Sequence, residues 1–169
     1  GHLFLLEAIK ALLPQSVTCL FVGGGKKHSN YRKELQAKID EYDLSKTVIM
    51  TSNVSDMPAI YGLSDIVTCI STKPESFGLV SIEAQAMGRM VVATNIGGIV
   101  ETITPKKTGW LIEPNNVDQL TDTIKNILQM DLPTRLVHAK AARNNVEKKF
   151  SLETMSKKII NTYNKVLGI

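Results

Sequence analysis

Two glutamates in the stretch "KPESFGLVSIEAQAMG" (Lys73 to Gly88) are the side chains whose setting most invites chemistry. Glu75 stands in a loop entered through Pro74, and by spacing alone it reads as a plain surface residue. Glu83 falls four positions after Leu79 and three before Ala86, inside a helical stripe of Leu79, Ile82, Ala86 and Met87. A carboxylate without a partner in an apolar stripe is costly. Either a cation pairs with it, or it reaches a crevice and accepts hydrogen bonds from the hydroxyls of a ligand. Gly78 marks the turn into this helix, which would leave the amides of Gly78, Leu79 and Val80 free to meet an anion such as phosphate.

Two glycine-rich turns offer further anion-holding backbone. "GGGKKH" fails the dinucleotide fingerprint, because His28 stands where glycine is needed. It also fails the P-loop, which needs glycine at Leu20 and Ser or Thr at Lys27. What remains is a strand, a turn with Gly23 and Gly24, and a helix, with Lys26 or Lys27 at hand; a merely tight turn is an equal reading. "NIGGIVE" poses the same choice, since Gly97 and Gly98 either expose amides or let a helix start. The chain has no Asp-x-Asp, His-x-x-x-His, paired cysteines or Gly-x-Ser-x-Gly, and His2, His28 and His138 are scattered. No metal site and no hydrolase nucleophile is therefore expected. Phosphates would be met by amides and basic side chains.

The elements that must position these residues follow from periodicity. Short β-branched runs, "VTCLFVG", "KTVIMT", "DIVTCIS" and "RMVVAT", alternate with longer stretches of helical period, as in a parallel sheet wrapped in helices. Leu3, Leu6, Ile9, Leu12 and Leu13 outline a first helix, and Asp56 with Pro58 opens a short one ending at Leu63. "GWLIEP" reads as a small edge strand bounded by Pro114. Only helices follow, at about 116–129, 133–149 and 151–167, the last capped by Ser151. The fold class expected is α/β, a Rossmann-like doubly wound parallel sheet with helices on both faces and a C-terminal helical segment. Ligands of such a sheet gather at the carboxyl ends of its strands.

Composition sets wider bounds. The 169 residues, 43% hydrophobic, suit one domain with an ordinary core. A charge of +4 is a weak pointer to acidic ligands or anionic surfaces, and the late lysines (Lys140, Lys148, Lys149, Lys157, Lys158) read as a solvated face. With aromatics at 5%, no stacking surface for nucleic acid is expected. Cys19 and Cys69 read as buried reduced thiols, which suggests a reducing compartment. No apolar run is long enough to span a bilayer, so a cytoplasmic location is the default.

"PESFGLVSIEAQAMGRMVVATNIGGIVETI" resembles the signature of the group one (family four) retaining nucleotide-sugar glycosyltransferases of GT-B architecture. Glu75, Phe77, Gly78, Glu83, Gly97, Gly98 and Glu101 match it residue by residue, and "FVGGG", "MPAIYGLSDIVTCIS", "TGWLIEPNN" and "KFSLETMSKKIINTYNKVL" extend the likeness over the chain. The resemblance implies that residues 1–169 are one nucleotide-sugar-binding domain, the C-terminal half of such an enzyme. It implies that Glu83 binds the ribose hydroxyls and that Glu75, the catalytic candidate, lies beside the donor sugar. The amides of Phe77, Gly78, Leu79 and Val80 would meet sugar and diphosphate, and the base would rest near Thr51, Ser52 and Asn53. Gly23 and Gly24 join the donor-binding set.

The partners implied are a nucleoside-diphosphate sugar and an N-terminal acceptor-binding domain of the same protein, with no metal, cofactor or nucleic acid. Gly1 runs straight into the first helix, so a first strand and two cations of the family pattern are expected upstream of it. "GGG" replaces the family's more usual Gly-acidic-Gly, which leaves the role of Gly24 open. The implied reaction is retaining, metal-independent transfer of a hexosyl-type sugar to a polysaccharide, lipid-linked or other acceptor, as in polysaccharide biosynthesis. The basic helices leave room for peripheral contact with the inner face of a membrane, and the fragment alone would be inactive. The alternatives are a GT-B nucleotide-sugar epimerase and a non-catalytic nucleotide-binding module.

Overall fold

The computed structural model describes residues 1–24 and 29–168. Gly25, Lys26, Lys27 and His28, named above for the first glycine turn, lie outside the described residues.

Among the described residues five strands form two ladders, each of them parallel. Strand β1 (Cys19–Phe21) pairs with β2 (Val48–Met50), and β3 (Ile66–Cys69), β4 (Met90–Thr94) and β5 (Trp110–Ile112) pair in that order. Among the described residues no ladder joins β1 to β3, so the one continuous sheet expected from the sequence is interrupted. Burial of apolar surface joins the two parts instead.

Helix α1 (His2–Leu12) supplies that joint. Its Phe4, Leu5, Leu6, Ala8, Ile9 and Leu12 are buried together with Cys19, Phe21 and Val48 of the first ladder and Ile70, Met90, Val92 and Ile112 of the second. Leu120, Ile124 and Ile127 of α5 (Val117–Leu128) complete this cluster. Each fully buried Leu or Ile contributes about 1.5–3 kcal/mol.

The opposite face of the second ladder carries a separate cluster. Cys69, Val91 and Ala93 alternate with the residues above and pack with Tyr61 of α3 (Met57–Leu63), Ala84 of α4 (Leu79–Ala86), and Ile99 and Ile103. Helices thus cover both faces, and β4, buried along its whole length, reads apolar for that reason. Between β4 and β5 the expected short helix is a 3-10 helix, Gly98–Thr102.

The ends of the helices follow local chemistry. Asp56 accepts from the Ala59 amide to cap α3, with Pro58 in its first turn. Asn116, Asp131 and Ser151 cap α5, α6 (Leu132–Lys149) and α7 (Leu152–Leu167) in the same way. Helix α2 (Ser29–Glu41) precedes β2. Helix α7 differs from the rest in that none of its residues is buried, and Leu152, Met155, Ile159, Tyr163 and Val166 present an exposed apolar side. No described helix is long and apolar enough to cross a membrane.

Candidate active site

Because the strands of each ladder are parallel, the segments after β1 and β2 emerge at one end of the first ladder and those after β3 and β4 at one end of the second, and all the sequence-predicted site residues lie on these segments. Gly23 and Gly24 follow β1, and Thr51, Ser52 and Asn53 follow β2. Thr51 is tied back to the first strand by its amide, which donates to the Phe21 carbonyl at 2.9 Å. Arg32 of α2 donates to the carbonyls of Thr51 (2.8 Å) and Met50 (2.9 Å), and so clasps the start of this loop. That clasp is not legible in the sequence, because arginine on a polar helix looks like solvated surface.

The loop after β3 and the turn after β4 interlock. The Gly98 amide donates to the Glu75 carbonyl at 2.7 Å, and Glu75 and Gly97 form a parallel bridge. A Cβ on Gly98 would collide with the Ser76 carbonyl, and one on Gly97 would stand 2.6 Å from that of Glu75. The glycine pair is there for close backbone approach. Of the two readings open from the sequence, the pair does start a helix, the 3-10 helix Gly98–Thr102, while the Gly98 amide is taken up by Glu75 instead of being left for a ligand.

Gly78 plays the matching part on the other side. Its φ is +90°, and a Cβ there would meet Ile99 Cγ1 at 2.7 Å, so only glycine brings α4 this close to the 3-10 helix. Within α4 the first amide taken up is that of Ser81, which donates to Gly78 O. Among the described residues nothing accepts from the amides of Gly78, Leu79 or Val80, and Leu79 and Val80 are exposed. The helix start expected from sequence is present, with its first amides unpaired among the described residues. Phe77 rests edge-on against Phe150, at the junction of α6 and α7, with ring centroids 5.9 Å apart.

Glu83 corrects the sequence reading. It is exposed rather than set in the inward stripe, and Leu79 (65% exposed) and Met87 also face outward. The buried face of α4 is Ser81, Ile82, Ala84 and Gln85. Two polar residues can occupy it because they satisfy each other and the 3-10 helix. Gln85 Nε2 donates to Ser81 Oγ and to the Thr102 carbonyl, Ser81 Oγ lies 2.9 Å from Thr102 Oγ1, and Asn145 of α6 donates to Gln85 Oε1. Of the two alternatives open from the sequence, a cation pair or a carboxylate facing a crevice, no cation pairs with Glu83 among the described residues. Glu83 Oε2 instead accepts from the Tyr61 hydroxyl at 2.6 Å.

Glu75 also departs from the plain surface reading, being half-buried. Burial, with the negative charge of Glu75 adding to it, pushes the Cys69 thiol up to about 12. The Cys19 thiol is pushed up to about 12 by burial, and both cysteines are free and buried, as their apolar settings suggest. Glu101 is exposed on the 3-10 helix. Among the described residues no three His, Cys, Asp or Glu side chains converge as a metal set would.

Helix α1 brings a further helix start towards β3, for Gly1 packs so closely on the Ile70 carbonyl that a Cβ would collide with it. Beside it lies a hollow of about 470 Å³ lined by Gly1, Leu3, Phe4, Glu7, Tyr31, Thr72 and Asn115. None of the predicted site residues lines this hollow. The chemistry-bearing groups lie instead on the loops after the strands and on α4.

Set beside known proteins, the chain has clear relatives. The family described as Glycosyl transferases group 1 matches residues 1–145. The chain belongs to this family.

Among solved structures, a glycosyltransferase from Rickettsia africae is 38% identical with a TM-score of 0.94, over 99% of this chain and 44% of its own. HepE of Anabaena, in complex with UDP and glucose, is 28% identical with a TM-score of 0.87, over 95% and 44%. The capsular polysaccharide biosynthesis glycosyltransferase CapM of Staphylococcus aureus is 30% identical over 139 residues, which is 79% of this chain and 36% of CapM. The group 1 chain described here therefore spans less than half the length of these relatives. Its architecture is the Rossmann-like C-terminal half of a GT-B glycosyltransferase.

Proposed function

We propose that the protein containing this group 1 chain transfers a hexosyl-type sugar from a nucleoside diphosphate to an acceptor, with retention at the anomeric carbon and without a bound metal. The observation that carries this reading is α4. Free amides at its start and the outward carboxylate of Glu83 four residues later share one element. The helix start suits a diphosphate, since its amides and the positive end of the helix dipole both favour an anion. The Glu83 carboxylate suits the vicinal hydroxyls of a ribose. HepE, of the same fold, holds UDP and glucose.

In this reading Thr51, Ser52 and Asn53 border the base, with Gly23 and Gly24 nearby, and Phe77 to Val80 present amides to diphosphate and sugar. Glu75 stands beside the donor sugar, held by backbone bonds to the glycine turn. As the glycosidic bond breaks, charge builds on the leaving diphosphate, and amides fixed in place stabilise it without reorganising.

The acceptor site and two further cations are assigned to an N-terminal half of the same polypeptide. Two features favour such a half: the exposed apolar side of α7, and the interrupted sheet, in which β1 and β3 each have one edge unpaired among the described residues. By itself the chain would bind nucleotide weakly and transfer nothing. The acceptor class favoured by the kinship with CapM is a polysaccharide.

Titration with a panel of nucleoside diphosphates, followed by amide NMR shifts, tests this reading. Perturbation from Phe77 to Glu83 is expected, with weakening by Glu83→Ala. Silence of those amides with every nucleotide overturns it.

A further inference from the structure

Tyr61 is buried, 4% exposed, and its ring sits among Cys69, Ala84, Val91, Ala93, Ile99 and Ile103. Its hydroxyl alone reaches outward, and it spends its proton on Glu83 Oε2 at 2.6 Å, the length of a charge-assisted bond. Helix α3, which carries it, is fixed at both ends. Asp56 caps the start, and at the finish Ser64 Oγ donates to the Ile60 carbonyl while Arg89 donates to the Ser64 carbonyl. Among the described residues Glu83 forms no ion pair, so this hydroxyl is what orients its carboxylate. Burial first, then the hydrogen bond to Glu83 and its charge, raise the phenol well above its usual range, so it remains a donor at any physiological pH.

We infer that Tyr61 is a positioning residue for donor recognition: it holds one carboxylate oxygen of Glu83 so that the other is presented to the ribose hydroxyls. The inference rests on the reading of Glu83 as the ribose ligand. An exposed glutamate that swings freely gives up its rotamer freedom when a ligand binds. A glutamate already held by a rigid phenol does not. The consequence is selectivity, because the clamp strengthens binding only for nucleotides whose hydroxyls meet the carboxylate.

The test is calorimetric titration of the protein with UDP and with 2′,3′-dideoxy-UDP, for the wild type, Tyr61→Phe, Glu83→Ala and the double variant. Tyr61→Phe is expected to weaken UDP binding about tenfold, as loss of one well-placed hydrogen bond would. It should leave the dideoxy nucleotide unchanged, and add nothing in the Glu83→Ala background. An equal effect on both nucleotides, or on neither, overturns the role of Tyr61 while loss of selectivity in Glu83→Ala upholds that of Glu83. If Glu83→Ala itself keeps the selectivity, both readings fall. The wild type gives an independent measurement through the Tyr61 hydroxyl proton. Its NMR signal should shift with UDP and stay put with the dideoxy nucleotide, and identical responses to the two likewise overturn the inference.

Discussion

Glu75 and Gly97 meet backbone to backbone, as a parallel bridge closed by the bond from the Gly98 amide to the Glu75 carbonyl. The loop after β3 and the turn after β4 are thereby one mechanical unit, and the carboxylate proposed to lie beside the donor sugar is placed by its main chain. Side-chain partners are not needed for that. The glycines are.

Gly98→Ala puts a methyl group into the Ser76 carbonyl, and backbone yields less readily than a flexible side chain. Overpacking of this kind costs about 1–3 kcal/mol, and here it also shifts Glu75. A lower melting temperature, and reduced transfer by the protein that contains this chain, are expected together. Gly62→Ala serves as the control, since a Cβ there meets nothing within 4 Å. Within α3 it should stabilise by about 0.5–1 kcal/mol, and a denaturant midpoint that falls for Gly62→Ala and not for Gly98→Ala would contradict this account.

Arg32 holds two consecutive carbonyls at the loop proposed to border the base. Lysine carries the same charge on a single point and cannot reproduce that fork. Arg32→Lys and Arg32→Ala are therefore expected to weaken nucleoside diphosphate binding alike, by about threefold to tenfold, the worth of a bond or two. The loss should be equal for ribo and dideoxy nucleotides, which separates the base loop from the Tyr61–Glu83 pair. Calorimetry of the same ligands decides it.

The two buried thiols set a pH limit. An unfolded cysteine ionises near its ordinary value of 9.0, whereas Cys19 and Cys69 in the fold do so only at about 12. Between those values the unfolded chain binds fewer protons than the folded one, so stability is full below pH 9 and declines as pH rises towards 12. Thiol reagents at pH 7–8 should find neither cysteine in the folded protein and both after denaturation. Rapid labelling of the native state would show that the two apolar clusters are looser than described.

The sequence was legible where structure depends on neighbours along the chain. Asp56 before Pro58 announced α3, and the all-apolar "RMVVAT" announced a strand buried on both faces. Gly78 announced the exposed helix start. The stripe of α4 was misread because its buried polar residues find their partners far away, Ser81 at Thr102 and Gln85 at Asn145. Periodicity counts apolar residues and cannot see a polar network that satisfies itself. Tyr61 and Arg32 were missed for the same reason, since one looked like core and the other like surface. The first glycine turn remains partly outside the described residues.

Helix α1 bears on how the chain reaches its fold. Its buried side rests on α5, so residues 2–12 must find residues 117–128, and contacts so distant in sequence form late. The β3–β4–β5 ladder can assemble from successive segments, while the β1–β2 ladder gains its place only when α1 seats across both. During synthesis the side of α1 that rests on α5 therefore waits for its cover until Val117–Leu128 has emerged. That interval is when this chain is most exposed to aggregation and to chaperones.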